Sequence, residues 1–200
     1  MAEGAIYDMF DPETHVVKEL PQSFEKYVVG CDYGTASATS FVLLGLSQGT
    51  WYAIREYYHD SRQSGRQKTD TQYSRDMVRF LSGIRPRAIE VDPSAASFII
   101  QLRRDSMGHI YEADNEVLED IQVVSQALEG KRLLIHESCK HLVSQLATYS
   151  WDSAASKRGE DKPLKQNDHA VDALRYANMR AVKRGIFAVP TGIPQEPYYW

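Results

Sequence analysis

Cysteine is scarce in this sequence, with two residues among 200: Cys31 inside an expected strand and Cys139 at the start of an expected helix. No CxxC pair occurs, so neither a zinc–thiolate cluster nor a dithiol redox centre is available, and both thiols read as reduced packing residues. Also lacking is any run of about 18 uncharged apolar residues, which excludes a helical membrane span. The first twenty residues carry Asp8, Asp11, Glu13 and Glu19 where a secretory leader would be basic and then apolar, so a soluble, cytosolic protein is expected. A surplus of positive charge is missing too: the formal net charge is −4, which argues against a protein that coats nucleic acid through bulk charge. It leaves room for an acidic site neutralised by metal ions, because basic clusters remain at Arg85/Arg87, Arg103/Arg104, Lys131/Arg132, Lys157/Arg158 and Lys162/Lys165. There is no internal repeat and no low-complexity block.

What is present suits one compact domain with a full core, since 42% of the residues are hydrophobic. Residues 1–23 mix turn formers and charge without a sustained period and read as a lead-in; the domain is expected over 24–186, followed by a proline-bearing extended tail at 187–200. Three stretches rich in aromatic and β-branched residues, Tyr27 to Asp32, Thr39 to Leu46 and Trp51 to Tyr58, are separated by GTASA and SQG and predict three consecutive antiparallel strands. Helical spacing over Thr71 to Leu81 leads into a short apolar run, Ala88 to Val91, that ends at Asp92-Pro93. Helix and strand then alternate: SAASFIIQLRRD, HIYEA, NEVLEDIQVVSQALEG closed by Gly130, RLLIH, and SCKHLVSQLATYS. A polar stretch, WDSAASKRGEDKPLKQ, precedes a last helix from about Asn167 to Arg184 with an apolar stripe of Ala170, Ala173, Leu174, Ala177 and Ala181. This order predicts an α/β domain: a central mixed sheet of three antiparallel and then parallel strands, flanked by helices, with the first strand near the centre.

Asp32 ends the first strand and Asp92 ends the fourth. Taken singly, Asp32 reads as a turn former before Gly34 and Asp92 as a cap for the helix after Pro93. Taken together, two carboxylates at the carboxyl ends of neighbouring strands converge on the crevice where such sheets bind ligands. In NDHAVDALRYA, His169 and Asp172 lie one helical turn apart and project from one face, about 5 to 6 Å apart at Cβ, a spacing that suits joint metal ligation. Asp168 at the helix start is as readily a cap as an accessory ligand, and Asp172 has a salt bridge to Arg175 as its plainer role. Phosphodiester hydrolysis needs an activated water, neutralisation of charge in a pentavalent transition state and a stabilised leaving oxygen, and two divalent ions about 3.5 to 4 Å apart supply all three. Carboxylates are the ligands hard cations require. Asp32 is therefore expected to bridge two Mg²⁺ or Mn²⁺ ions, Asp92 to hold one, and Asp172 with His169 the other, the imidazole favouring Mn²⁺. Asp32, Asp92 and Asp172 are the expected catalytic residues.

The chain resembles the nuclease domain of the large terminase subunit of tailed bacteriophages, through GAIYDMFDPETHVV, VVGCDYGTASATSFVLLG, VDPSAASFI and above all GEDKPLKQNDHAVDALRYA. That resemblance implies an RNase H-like fold and an endonuclease that cuts concatemeric viral DNA during packaging, using Mg²⁺ or Mn²⁺ at Asp32, Asp92, His169 and Asp172, with Asp168 as accessory. It implies double-stranded DNA, the terminase ATPase domain, the small terminase subunit and the portal protein as partners, in the host cytoplasm and away from membranes. It also implies that SKRGEDKPLK is part of a β-hairpin beside the site, able to touch DNA or regulate access. No GxxxxGK[ST] phosphate loop occurs, so the ATPase motor of large terminases is not encoded here and the resemblance is to the carboxyl-terminal half alone. Three rivals stand beside this reading. DYGTASAT superficially matches the phosphate loop of sugar kinases and heat-shock ATPases, but the duplicated half of those folds is missing. The others are a resolvase- or integrase-like nuclease and a non-catalytic DNA- or protein-docking module of the same fold. Sequence preference is expected to be weak, since no helix clusters Arg, Asn and Gln for base edges.

Overall fold

A computed structural model describes residues 4–34 and 37–183. Its frame is a seven-stranded mixed sheet in the order β1-β7-β4-β3-β2-β5-β6. The strands are β1 (Val16–Val17), β2 (Lys26–Asp32), β3 (Ala38–Ser47), β4 (Thr50–Asp60), β5 (Ala88–Val91), β6 (Ile110–Glu112) and β7 (Leu133–His136). β2, β3 and β4 form the expected antiparallel run, while β5 pairs parallel with β2, β6 with β5, and β7 with β4. The helices are α1 (Pro12–His15), α2 (Ser61–Ser64), α3 (Asp70–Leu81), α4 (Ala96–Arg104), α5 (Val117–Glu129), α6 (Lys140–Thr148), α7 (Ser153–Ser156) and α8 (His169–Lys183). No described helix is long and apolar enough to cross a membrane.

Alternation along β2 sends its side chains to two separate cores. Val28 joins α5, α6 and α8 on one face, whereas Val29 and Cys31 join α3 and α4 on the other. The alanine stripe of α8 is fully buried, and it lets the helix lie unusually close to the sheet. Gly30 marks the point of contact, because a Cβ there would collide with the Ala173 carbonyl oxygen and the Ala177 nitrogen. Asp32 lies two residues further along β2 and so shares the face of Val28 and Gly30, beneath the start of α8. Both cysteines are buried and free.

Two expectations change. The stretch read as a lead-in is part of the packed body: Ile6, Tyr7 and Phe10 are in the core, α1 is capped by Asp11, and Val16 and Val17 pair in parallel with β7 at the sheet edge. A strand of two residues has no period to read, and its existence depends on a partner far along the chain. The hairpin of which SKRGEDKPLK is expected to be part is reduced, among the described residues, to one antiparallel bridge between Trp151 and Pro163, flanked by hydrogen bonds from Asp152 N–H to the Lys162 carbonyl and from Leu164 N–H to the Ser150 carbonyl; α7 and a turn fill the connection between its arms. Asp152 caps α7 by accepting from the Ala154 and Ala155 N–H groups, a local hydrogen bond that favours a helical turn over a strand. The final helix begins at His169, two residues later than expected, and the tail at 187–200 lies outside the described residues.

Candidate active site

A cleft of about 550 Å³ opens at the carboxyl ends of β2 and β5, and Asp32, Asp92, Asp168, His169 and Asp172 all line it. Asp32 closes β2 opposite Ser40 and is 7% exposed. Its Oδ2 lies 2.6 Å from His169 Nδ1, so one proton is shared between ring and carboxyl. Asp92 directly follows β5; its N–H donates to the Cys31 carbonyl, which ties the two strand exits together, and its Oδ1 accepts from Ser94 N–H. That makes a local turn rather than a helix cap; Ala95, three residues on, stands at the cap position of α4.

The start of α8 is positioned from behind by α6. Gln145 Oε1 accepts from the N–H groups of Ala170 and Val171, thereby taking the capping role considered for Asp168. Asp168 is left with a buried Oδ2 that has no hydrogen-bond partner, with Lys165 Nζ standing 3.4 Å away. Lys165 donates at 3.1 Å to Asp172 Oδ2, while Asp172 Oδ1 accepts from Arg175 Nε at 3.2 Å and Nη2 at 2.7 Å. The salt bridge considered as the plainer role of Asp172 is therefore real, and it coexists with a place in the cleft.

Charge is crowded here. Burial pushes Asp32 up to about 6; Asp172 and Asp92 add to the rise, and the His169 hydrogen bond opposes it. His169 is raised above its usual range first by that same hydrogen bond. Burial would lower Lys165, but Asp172 and Asp168 outweigh it and hold the ammonium charged.

Among the described residues no three His, Cys, Asp or Glu side chains converge as they stand on one point that could hold a metal ion. The reason is visible in the partners: Asp32 is engaged by His169, and Asp172 by Lys165 and Arg175. Even so, the residues fit a divalent cation by chemistry. Asp32, Asp92, Asp168 and Asp172 share one cleft with an imidazole, one carboxylate oxygen is buried without a hydrogen-bond partner, and the positive charge beside it is a Lys on a side chain that is 64% exposed and free to swing away. Sequence reasoning noted Lys165 only as surface charge, although its position three residues before Asp168 was a usable signal. It did not mark Arg62, Tyr58 or Tyr176, which line the same cleft, nor Gln145 behind it.

No protein-family model matches the chain. The terminase large subunit of Escherichia phage T5 is 26% identical over 204 residues, which span 95% of this chain and 43% of that protein. The large terminase of a thermophilic bacteriophage, solved in complex with ATP-gamma-S, superposes with a TM-score of 0.85 at 46% identity, across 89% of this chain and 45% of that one. The g2p (large terminase) nuclease domain of bacteriophage SPP1, solved with bound Mn, gives a TM-score of 0.62 at 18% identity and covers 84% of this chain and 96% of that domain. The chain thus spans less than half of the T5 protein and of the thermophilic phage's large terminase, and matches nearly all of a solved nuclease domain. Its fold is that of RNase H-like nuclease domains. In sequence the chain is similar to parts of bacteriophage large terminases, and its fold is that of the solved large-terminase nuclease domains.

Proposed function

We propose that the chain is a metal-dependent DNA endonuclease, the part of a packaging terminase that cuts concatemeric viral DNA by two-metal phosphodiester hydrolysis. The observation that carries this reading is the single cleft in which Asp32, Asp92, His169 and Asp172 meet at the carboxyl ends of β2 and β5. Asp32, Asp92, Asp172 and His169 would hold two Mg²⁺ or Mn²⁺ ions, with Asp168 as an accessory ligand. Bound there, the ions supply a nucleophilic water and neutralise the charge that develops on the phosphate.

The protein's own groups have separate tasks. Asp32 and His169 hold a proton between Oδ2 and Nδ1, and loss of that proton would leave the Asp32 carboxylate free to ligate a cation. Lys165 neutralises Asp168 and Asp172, and its largely exposed ammonium could turn instead to a backbone phosphate if a cation took its place. Arg62 also lines the cleft, while Lys157, Arg158 and Lys162 lie on the segment that leads to Lys165. These charges suit a duplex gripped by its phosphates, with affinity that falls as salt rises. The terminase motor, small subunit and portal would be the partners of the whole protein, acting in the host cytoplasm.

The test is incubation of the purified chain with supercoiled plasmid in Mn²⁺, Mg²⁺ or EDTA, beside Asp32→Ala. Nicking or linearisation that requires metal and disappears in the variant is the expected result. DNA left intact in every metal would mean either that cutting needs the motor and partners of a whole terminase or that the docking-module reading holds.

A further inference from the structure

Arg175 is among the largest side chains that are wholly enclosed, and it is held between two carboxylates from different helices. Its Nε and Nη2 both donate to Asp172 Oδ1, and its Nη1 donates at 3.0 Å to Asp120 Oδ2 on α5. Neither Arg175 nor Asp120 has any exposed side-chain surface. The stacked rings of Tyr7 and Tyr149, each almost fully buried, stand near enough that the charges of Arg175 and Asp172 act on both phenols. Enclosing a guanidinium and two carboxylates in this way is costly, and a well-packed apolar cluster would tie α5 to α8 at least as firmly. Holding the helices together therefore does not account for this choice of residues.

The distribution of bonds on Asp172 does account for it. Arg175 occupies Oδ1 from inside the core, whereas Oδ2 accepts from Lys165, on the cleft side. A carboxylate gripped through one oxygen by two donors of a planar fork cannot rotate freely, so its other oxygen stays aimed at the cleft. Asp120, engaged through the third donor position, fixes the fork in turn. Resting on the nuclease reading above, we propose that Arg175, backed by Asp120, is a positioning residue for Asp172: it presents Oδ2 to a divalent cation and never touches the cation or the DNA itself.

Outer-shell partners of this kind typically govern metal affinity by about 10- to 100-fold. The test is calorimetric titration of Mn²⁺ into the full chain, with folding checked by near-ultraviolet circular dichroism, for the wild type and two variants. Arg175→Lys keeps a cation between the carboxylates but loses the fork. The double variant Arg175→Met with Asp120→Asn removes both buried charges together, and so avoids stranding Asp120 unpaired. The expected result is saturable Mn²⁺ uptake by the wild type and folded variants that bind about 10- to 100-fold more weakly. A merely structural role would lower the melting temperature and leave the affinity of folded protein unchanged; affinity equal to the wild type's in either folded variant overturns the proposal. Absence of uptake by the wild type would instead sink the nuclease reading, and this proposal with it.

Discussion

The two faces of the sheet are built on opposite plans. Against α3 and α4 the core is aromatic: Tyr33 stacks on Phe98 at 4.6 Å between ring centroids, Phe41 on Tyr57 at the same distance, and Tyr73 meets both Tyr33 and Phe98 at their edges. On the face of α5, α6 and α8 the buried rings are Tyr7, Phe10, Trp51 and Tyr149, while α8 itself meets β2 through alanines and the start of the helix is surrounded by enclosed polar groups: Gln145, Asp120, Arg175, Asp172 and Asp168. Large rings fill volume and tolerate small displacements. A helix seated on glycine and alanine leaves no slack, and that is the face from which Asp32, His169 and Asp172 enter the cleft. Packing without slack thus lies where charged groups must keep their positions.

The sharpest way to break that contrast is to add one methyl group. Gly30→Ala should push α8 off β2 and cost about 3 kcal/mol or more, read as a fall in the denaturant midpoint, with Mn²⁺ binding lost alongside. A smaller effect is expected from charge alone. Asp32 binds its proton more tightly folded than unfolded, so its ionisation opposes folding, by nothing below its ordinary value of 3.8 and increasingly as pH rises through about 6. His169, also raised, loses the benefit of its pairing in the same direction. In EDTA, Asp32→Asn should therefore gain on the wild type between about pH 4 and pH 7, by on the order of 2 kcal/mol; melting temperatures that run parallel across that range would refute the crowding argument.

On the other face, Phe98→Leu should cost only about 1.5 kcal/mol and leave Mn²⁺ binding intact, because the surrounding rings can shift into the space. The smallest effect belongs to Lys165. Its ammonium competes with a cation for Asp172 Oδ2, and a pair whose Lys side chain is 64% exposed is worth little, so Lys165→Met should tighten Mn²⁺ binding by up to about 5-fold. Weaker binding in that variant would mean that Lys165 helps to assemble the site.

Much of the frame could be read directly because its signals are local. The runs that became β2, β3 and β4, the apolar run ending at Asp92, and the stripe on α8 each carry their own period, and the strand exits located Asp32 and Asp92 before any tertiary contact was known. What could not be read depends on partners distant in sequence. The edge strand Val16–Val17 exists through β7, and the cap on α8 comes from Gln145 on another helix. Half of the Arg175 clamp was visible as an i, i+3 pair with Asp172, while Asp120 on α5 was not. The hairpin expected to include SKRGEDKPLK shrinks to a single bridge for the opposite reason: a local cap from Asp152 turns the chain into α7 directly after the bridge.

The central claim is that this cleft takes divalent metal ions on Asp32, Asp92, His169 and Asp172. Crystals of the chain soaked in Mn²⁺ and measured for anomalous scattering test it most directly. The account predicts anomalous peaks between those side chains, with Lys165 displaced from Asp172 and Arg175 still on Oδ1. A cleft without anomalous density at saturating Mn²⁺, with Lys165 still bound to Asp172, would contradict it.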